Sequence, residues 1–458
     1  MSRFLTLLIV VFIVTPLFGL DLPVRQIPDD SPLRILLKDS WLTESPSRVL
    51  TRRTVSLTLD GGNRVEIRVE SGRNEFMVIF ARELMRGRMA DDGSPDVPRT
   101  NTGLFPGWAQ GSWMITRSLE TGQPMLIRVF PRSDQFTYIQ FRPFTSDKCQ
   151  MDVVLYGSYA VQSLPLPVPF ERLYTMPVND VLRLAGDKFP LKYFEPNPMD
   201  YAGQRRFIGM VRQRLPQLRF ADDGAINEDG DYVFINTLEQ QNEARGGLNC
   251  SGFAKWLIDG ILRPVTGRRL AIPPLKEPFG SRGSSFTELH EESRDPFFGL
   301  DWIRNLAAEA GSVLRSPAYS SLDEIEVRSE VFSQVLVPVN RAFSAHSYTG
   351  FLQDAGYGIE GLHPLLYTLA IDEPGRFYLA AVNTEMGPAS TPENLRGGAR
   401  MRQYFHIAAL VPYFTEYGDF RIVVFESAAE TSFNAFRTRY PEHHVNLVRI
   451  PLETAFDP

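Results

Sequence analysis

Cysteine and histidine are scarce in this chain of 458 residues, which contains only two cysteines and six histidines. Disulfide-stabilised scaffolds carry many more cysteines, so a chain of this length must fold around hydrophobic cores. The histidines show no i,i+4 spacing and no pair of cysteines accompanies them, which argues against a zinc site. We therefore predict neither a metal ion nor an organic cofactor.

An excess of positive charge is also missing, because 48 lysines and arginines against 54 aspartates and glutamates give a formal net charge of -6. A protein that grips a phosphate backbone needs a basic surface, so we predict no nucleic-acid partner. The glycine-rich loop of phosphate-binding enzymes and the Gly-x-Ser-x-Gly elbow of many serine hydrolases are absent as well. These absences argue against two common classes of enzyme.

Beyond its first residues the chain has no apolar run near the ~20 residues that a membrane-spanning helix needs. The N-terminus itself combines a positive Arg3, an apolar run from Phe4 to Val14 and a small Gly19. This pattern predicts a cleaved signal peptide over residues 1–19, in preference to a membrane anchor. We expect the protein to be exported to the periplasm or to the extracellular side of the cell envelope.

Short alternating strands dominate the first part of the predicted mature chain. Residues 20–50 are rich in proline, aspartate and serine and predict an irregular arm or linker. Seven or so alternating runs follow, beginning with the hairpin pattern TVSLTLDGGNRVEIRVE, and predict an all-β sandwich or barrel over residues 51–165. No motif in this part resembles a catalytic site, so we expect a binding or spacing module that could contact the cell envelope peripherally.

Proline-rich residues 166–198 predict an extended connector to the second half of the chain. Residues 199–458 begin with helical periodicity and end with apolar strand patterns, among them GRFYLAAVN, YFHIAALVPYF and FRIVVFES. Helices followed by strands are typical of an α+β domain. The fold class predicted for the whole chain is therefore α+β, with an all-β domain at its N-terminus.

The segment GGLNCSGFAKWLIDG places Cys250 at the predicted start of an amphipathic helix, directly after the good N-cap residue Asn249. A thiol there faces unpaired backbone N–H groups and the positive end of the helix dipole, which both favour the thiolate. The same N–H groups, with Ser251 beside them, can stabilise an oxyanion, and Gly252 leaves room for a substrate to approach.

A cysteine nucleophile needs a base, and His406 is the best candidate because it opens the apolar run HIAALVPYF and should start a buried strand. Other roles stay open for both residues. His406 could be an ordinary core histidine, and Cys250 could be buried or bonded to Cys149 in an oxidising compartment.

The segment NCSGFAKWLIDGI resembles the nucleophile segment of the NlpC-type cell-wall cysteine peptidases, which usually read Asp-Cys-Ser-Gly before an apolar helix. The family continues with a strand after a Pro-Gly-Asp turn, a strand opened by the catalytic histidine and a strand with a third polar residue. EPGRFYLAAVN, YFHIAALVPYF and FRIVVFESA are similar to these pieces in the same order. The resemblance implies a papain-like fold in which Cys250 is the nucleophile, His406 is the base and Glu426 orients the imidazole.

The chain departs from the family pattern at several positions. Asn249 replaces the usual aspartate, Arg376 stands where the turn has its acid, and Tyr232 is the candidate for a family tyrosine that precedes the cysteine. The predicted nucleophile and base are 156 positions apart, which is longer than in compact members of the family. We therefore predict a largely helical insertion at about 262–372, acting as a lid or a specificity wall.

The leading hypothesis is a secreted cysteine hydrolase that cleaves an amide bond, and the resemblance implies a peptidoglycan stem peptide as its substrate. Two alternatives come from other classes. The protein could be a non-catalytic cell-envelope binding protein that retains the fold, or an amidase or acyltransferase that acts on a lipid or a small amide.

Overall fold

The structure is a computed structural model, and the described part of the chain excludes the predicted signal peptide at 1–19. The residues described are 27–59, 63–88, 97–242, 246–280, 295–329, 350–352, 355–385, 402–416, 418–453 and 455–458. Within these ranges, no helix has both the length and the apolar character required to cross a membrane.

A large antiparallel sheet forms the N-terminal half. The first ten strands are β1 (Val55–Thr58), β2 (Arg64–Ser71), β3 (Glu75–Arg82), β4 (Met85–Arg88), β5 (Val97–Asn101), β6 (Trp113–Ser118), β7 (Pro124–Val129), β8 (Tyr138–Pro143), β9 (Cys149–Leu155) and β10 (Ser158–Leu166). Eight of them form one sheet in the order β1-β2-β3-β6-β7-β8-β9-β10, and β4 pairs with β5 in a separate hairpin.

This topology confirms an N-terminal antiparallel β-structure but corrects its predicted form. The described strands make one continuous sheet with β1 and β10 at its edges, whereas a sandwich would have two facing sheets and a barrel would pair its edges. Each strand of the sheet pairs with its neighbour in the meander, because most of the connections are short antiparallel turns. Helices, instead of a second sheet, must therefore cover its apolar face.

The residues predicted as an irregular arm supply part of that cover. They contain α1 (Ser31–Leu37), a π-helical turn at Lys38–Leu42 and α2 (Pro46–Val49). Trp41 and Val49 are buried in the same core cluster as the inward-facing residues of the sheet. The segment is ordered because it has apolar side chains to bury, which a count of its prolines and aspartates does not reveal.

The connector at 166–198 is also compact instead of extended. After β10 it forms a 3-10 helix at Phe170–Tyr174, α3 (Val178–Ala185) and further 3-10 turns at Gly186–Lys188, Leu191–Tyr193 and Pro198–Tyr201. Its aromatic side chains belong to the core of the sheet. The buried Arg34 donates hydrogen bonds to the carbonyl oxygens of Tyr174 and Met176, so the arm and the connector are held together.

The C-terminal half is an α+β structure, as predicted. Its helices are α4 (Ala202–Arg214), α5 (Cys250–Thr266), α6 (Pro273–Lys276), α7 (Phe298–Leu314), α8 (Leu322–Ile325), α9 (Leu362–Asp372) and α10 (Phe433–Arg439), with 3-10 turns at Leu215–Gln217, Pro317–Ser320 and Ile359–Gly361. Its strands are β11 (Gly224–Ile226), β12 (Tyr232–Phe234), β13 (Tyr357–Gly358), β14 (Arg376–Glu385), β15 (Arg402–Phe414), β16 (Phe420–Glu426), β17 (Ala429–Ser432) and β18 (His444–Pro451).

Six of these strands form an antiparallel sheet in the order β13-β18-β14-β15-β16-β17, while β11 and β12 form a small hairpin. Side chains along β14 alternate between the two faces of the sheet. Phe377 and Leu379 pack in a core with α5 and α7, and Tyr378 and Ala380 pack in a second core with α9 and α10. Both faces are therefore covered, which explains the continuous apolar runs of the central strands.

The predicted helical insertion at about 262–372 contains α6, α7, α8 and α9, and its residues 281–294, 330–349, 353 and 354 lie outside the described ranges. Its described helices are core elements. Trp302 of α7 is fully buried, and its Nε1 donates a 2.9 Å hydrogen bond to the carbonyl oxygen of Ser251 in α5. This part of the chain therefore packs against α5, the predicted nucleophile helix, in the core, which a surface lid would not do.

Replacing Trp302 by alanine should lower the free energy of unfolding by about 3–5 kcal/mol, because the change leaves a cavity in a core shared by α5, α7 and the sheet. Urea unfolding followed by circular dichroism measures this loss. Val313→Ala, on an exposed part of the same helix, should change stability by no more than about 0.5 kcal/mol. Equal small effects of the two changes would show that α7 is not part of the core.

Candidate active site

Cys250 is the first residue of α5, as the sequence predicts. The Asn249 side-chain oxygen accepts a 2.8 Å hydrogen bond from the Gly252 N–H, so the asparagine caps the helix. Cys250 is half-buried and its thiol is free. Cys149 is also a free thiol and lies buried in β9 of the N-terminal sheet, which excludes the predicted alternative of a Cys149–Cys250 disulfide.

His406 and Glu426 come from neighbouring strands of the C-terminal sheet. His406 is near the start of β15 and Glu426 is the last residue of β16, which pairs antiparallel with β15. The His406 Nε2 and the Glu426 Oε2 are 2.7 Å apart. The imidazole also shares a hydrogen bond with the Cys250 thiol. The three predicted residues are therefore brought together in the order thiol, imidazole, carboxylate.

The surroundings of Cys250 favour its ionised form. Burial by itself raises the pKa of the thiol, but the hydrogen bond and the positive charge of His406 lower it, and so do hydrogen bonds from the Ile407 backbone and the Ser251 side chain. The net result is a pKa below the ordinary value. The fraction of thiolate at a given pH is accordingly higher than for an ordinary cysteine.

The same surroundings raise the pKa of His406. Burial lowers its pKa, but hydrogen bonds to Cys250 and Glu426 and the negative charges of both residues raise the pKa to about 9. These opposite shifts favour a thiolate–imidazolium pair, in which each ion stabilises the other. A site of this kind has both a nucleophile and a proton donor for a leaving group.

Arg439, which the sequence analysis did not identify, completes the charged group. Its Nη1 lies 2.5 Å from the Glu426 Oε1, the carboxylate oxygen that His406 leaves free. Burial raises the pKa of Glu426, but His406 and then Arg439 lower it, and the net pKa lies below the usual value. The adjacent Tyr440 places its ring 5.6 Å from the His406 ring. No motif distinguishes Arg439 from the other arginines of the chain, so only the folded structure reveals its position.

A cavity of about 400 Å³ adjoins the thiol and the imidazole. Its wall combines two carboxylates and several amides with aromatic side chains, and the lining residues are Asp223, Asn236, Asn249, Cys250, Ser251, Asp295, Phe298, Gly299, Gln403, Tyr404, Phe405, His406 and Ile407. The start of α7 contributes to this wall, as the predicted specificity wall would. A small molecule or the end of a chain can therefore reach the sulfur.

The residues predicted to support the substrate and the oxyanion occupy different places. Ser251 lines the cavity. Gly252 is buried and faces β11, where an added Cβ would lie 2.0 Å from the Gly224 carbonyl oxygen. It therefore allows α5 to approach β11 closely, and the space for a substrate lies elsewhere. Tyr232 lies in β12 with its ring against Gly246, and it does not line the cavity formed by the described residues.

Two further titratable residues of the described chain, His363 and Asp419, lie apart from this group. Burial lowers the pKa of His363 to about 3, and its ring packs between Tyr156 and Phe420. Asp419 forms a turn with Thr415 between β15 and β16, so it does not replace Glu426 beside the imidazole. No cluster of side chains suited to a metal ion occurs in the described part of the chain.

Comparison with known proteins gives one match. A family model described as Domain of unknown function (DUF8515) matches residues 23–193. No curated protein matches the chain, and no solved structure matches it. The matched residues include the described arm, the eight-stranded sheet and most of the connector, and they end before α4. The match therefore does not reach the segments that hold the candidate active site.

Alkylation of Cys250 should be rapid well below pH ~8.5, the usual pKa of a free thiol, because the thiolate is stabilised. In His406→Ala the imidazolium is lost while burial remains, so the pH midpoint of labelling should rise above that value. Peptide mass spectrometry after iodoacetamide treatment measures both rates. Cys149 is an internal control, since burial raises its pKa to about 11. Equal labelling profiles of Cys250 in the two proteins would rule out the thiolate–imidazolium pair.

Proposed function

We propose that the protein is a secreted cysteine hydrolase that cleaves amide bonds, with Cys250, His406 and Glu426 as its catalytic triad. One observation carries this proposal: a thiol at a helix N-terminus, an imidazole with a raised pKa and a carboxylate stand in sequence beside a cavity. Perturbed titratable groups that line a cavity are the usual mark of a catalytic site.

The proposed reaction has two steps. The Cys250 thiolate attacks the amide carbonyl carbon, the C–N bond breaks, and the His406 imidazolium gives its proton to the departing amine. Water then attacks the thioester carbonyl while neutral His406 takes a proton from it, which releases a carboxylate and restores the thiolate. Glu426 keeps the imidazole oriented and balances its charge through both steps.

The tetrahedral intermediates need donors for their oxyanion. The proposed donors are backbone N–H groups at the start of α5, where Cys250 is the first residue, and the helix dipole would add to their effect. The Ser251 hydroxyl already bonds to the sulfur, so its proposed role is to stabilise the thiolate before attack.

For the substrate we propose a peptidoglycan stem peptide. The support is the resemblance of the Cys250 segment to the NlpC-type peptidases, together with a helix that carries the cysteine and packs against a sheet that carries the histidine. We propose on the same grounds that the C-terminal half is papain-like. The predicted signal peptide and export to the cell envelope would place the enzyme beside such a substrate.

Replacing Cys250 by alanine or serine should reduce cleavage of purified stem-peptide fragments by at least about 10³-fold, because no other nucleophile can replace the thiolate. Liquid chromatography with mass spectrometry detects the new amine and carboxylate products. Cys149→Ala is the matched control and should retain cleavage, since that thiol is buried in the N-terminal sheet.

The outcome of this comparison separates the alternatives. Cleavage of a lipid amide or a small amide, but not of stem peptides, would support an amidase or acyltransferase. Cleavage that survives both Cys250 variants would contradict the proposed triad. A wild-type protein that binds peptidoglycan and hydrolyses none of these amides would be a binding protein.

Cleavage should also depend on pH in a way that alkylation does not. Above pH about 9, His406 loses the proton that the leaving amine needs, so the rate of amide hydrolysis should fall. Labelling of the thiolate by iodoacetamide needs no proton donor and should stay fast over the same range. Parallel pH profiles of the two reactions test this, and hydrolysis that stays constant up to about pH 10 would contradict His406 as the proton donor.

A further inference from the structure

Glu426 divides its two carboxylate oxygens between two partners. Oε2 contacts His406 at 2.7 Å, and Oε1 contacts Arg439 at 2.5 Å. The Glu426 side chain is only 5% exposed, whereas that of Arg439 is 48% exposed. A carboxylate held from both sides has one orientation, and that orientation presents Oε2 to the imidazole.

The segment that contains Arg439 holds its side chain beside Glu426. The short helix α10 begins after Ser432, whose side chain accepts a 3.1 Å hydrogen bond from the Ala435 N–H. Phe436 anchors the helix in the core beneath the sheet and is fully buried. Arg439 is the last residue of the helix and also bonds to the side chain of Tyr440, which lies over His406.

We propose that Arg439 is a positioning residue of the catalytic group, which fixes Glu426 against His406 and balances the charge of the site. This inference rests on the proposed function, because it assigns Arg439 a task only if His406 acts with Cys250. At neutral pH the thiolate and Glu426 are negative and His406 and Arg439 are positive. Removing Arg439 leaves a net negative charge around the sulfur, which disfavours the thiolate.

Other charged groups near the imidazole do not offer the same compensation. The cavity wall brings the carboxylates of Asp223 and Asp295, which add negative charge. Tyr440 and His443 follow α10 in the chain. The Tyr440 ring lies close to the imidazole, and the His443 ring packs against Phe405. Among the described groups that contact the triad, Arg439 is thus the guanidinium that offsets Glu426.

The test is the alkylation rate of Cys250 from about pH 4 to about pH 10 in wild type, Arg439→Ala, Arg439→Gln and Arg439→Lys. Iodoacetamide is uncharged, so the site's potential acts on the thiol and not on the reagent. We expect the midpoint to rise by about 0.5–1 pH unit in the alanine and glutamine variants, and to stay near the wild-type value in the lysine variant, which keeps the charge.

Arg437→Ala is the matched control, since Arg437 is on the same helix but its guanidinium lies over Phe433. Its midpoint should equal that of wild type. Thermal melting serves as the second measurement. Because Glu426 is buried, losing the guanidinium should lower the melting temperature, so alkylation is measured well below the melting temperature of each variant.

The outcomes separate the two proposals. A wild-type midpoint in Arg439→Ala and Arg439→Gln, with or without a lower melting temperature, would overturn the positioning role and leave the proposed hydrolase intact. A wild-type Cys250 that resists alkylation at every pH would overturn the proposed function and this inference together. A shift shared by Arg437→Ala would show that α10 acts through its fold and would also overturn the positioning role.

Discussion

The Cys250 thiol and the His406 imidazole share a largely buried site, where a charge on either group needs the opposite charge on the other. Burial raises the pKa of Cys250 and lowers the pKa of His406, so it opposes the ionised form of each group. Their hydrogen bond and mutual attraction reverse both shifts. The pair therefore exists only while α5 and β15 hold the two side chains in contact. Much of the C-terminal half can be understood as the support for that contact.

The helix that carries the sulfur is fixed by buried polar contacts as well as by apolar packing. Lys255 is fully buried and donates 2.7 Å hydrogen bonds to Asp259 and to the carbonyl oxygen of Ile226, the last residue of β11. Asp259 in turn accepts from the Leu270 N–H. A buried ion pair costs free energy unless its remaining polar groups are satisfied, and these contacts go far toward satisfying them. Together with Gly252, they fix the position of α5 relative to the hairpin and to the chain that follows it.

Local patterns were sufficient to predict the elements that carry Cys250, His406 and Glu426. The cap at Asn249, the apolar period of α5 and the polar start of β15 are all encoded within a few residues, so the start of the helix and the strands could be predicted. The prediction of Glu426 depended on the resemblance and on its place at the end of a strand. Arg439 could not be found in this way, because its partner lies on another strand and an exposed arginine at a helix end has no distinctive pattern.

Local patterns do not reveal contacts between distant segments, which also explains the errors in the predicted architecture. The arm at 27–50 and the connector are rich in residues typical of loops, but their few large side chains find a partner surface only after the N-terminal sheet has formed. The separation between Cys250 and His406 suggested an insertion that acts as a lid or a specificity wall. In the structure α7 belongs to the core, because its apolar face lies between α5 and the sheet. The number of residues between Cys250 and His406 does not indicate where the intervening chain packs.

The N-terminal half is more than a separate module attached to the C-terminal half. β15 is thirteen residues long, and it carries His406 near one end and Phe414 at the other. Phe414 packs in the core of the N-terminal sheet together with Tyr367 of α9, whose ring contacts Tyr156 at 4.7 Å between centroids. Removing that sheet would expose the far end of the strand that carries His406. The N-terminal sheet therefore contributes to the stability of β15 whatever it binds, and a ligand-binding role would be additional to this structural one.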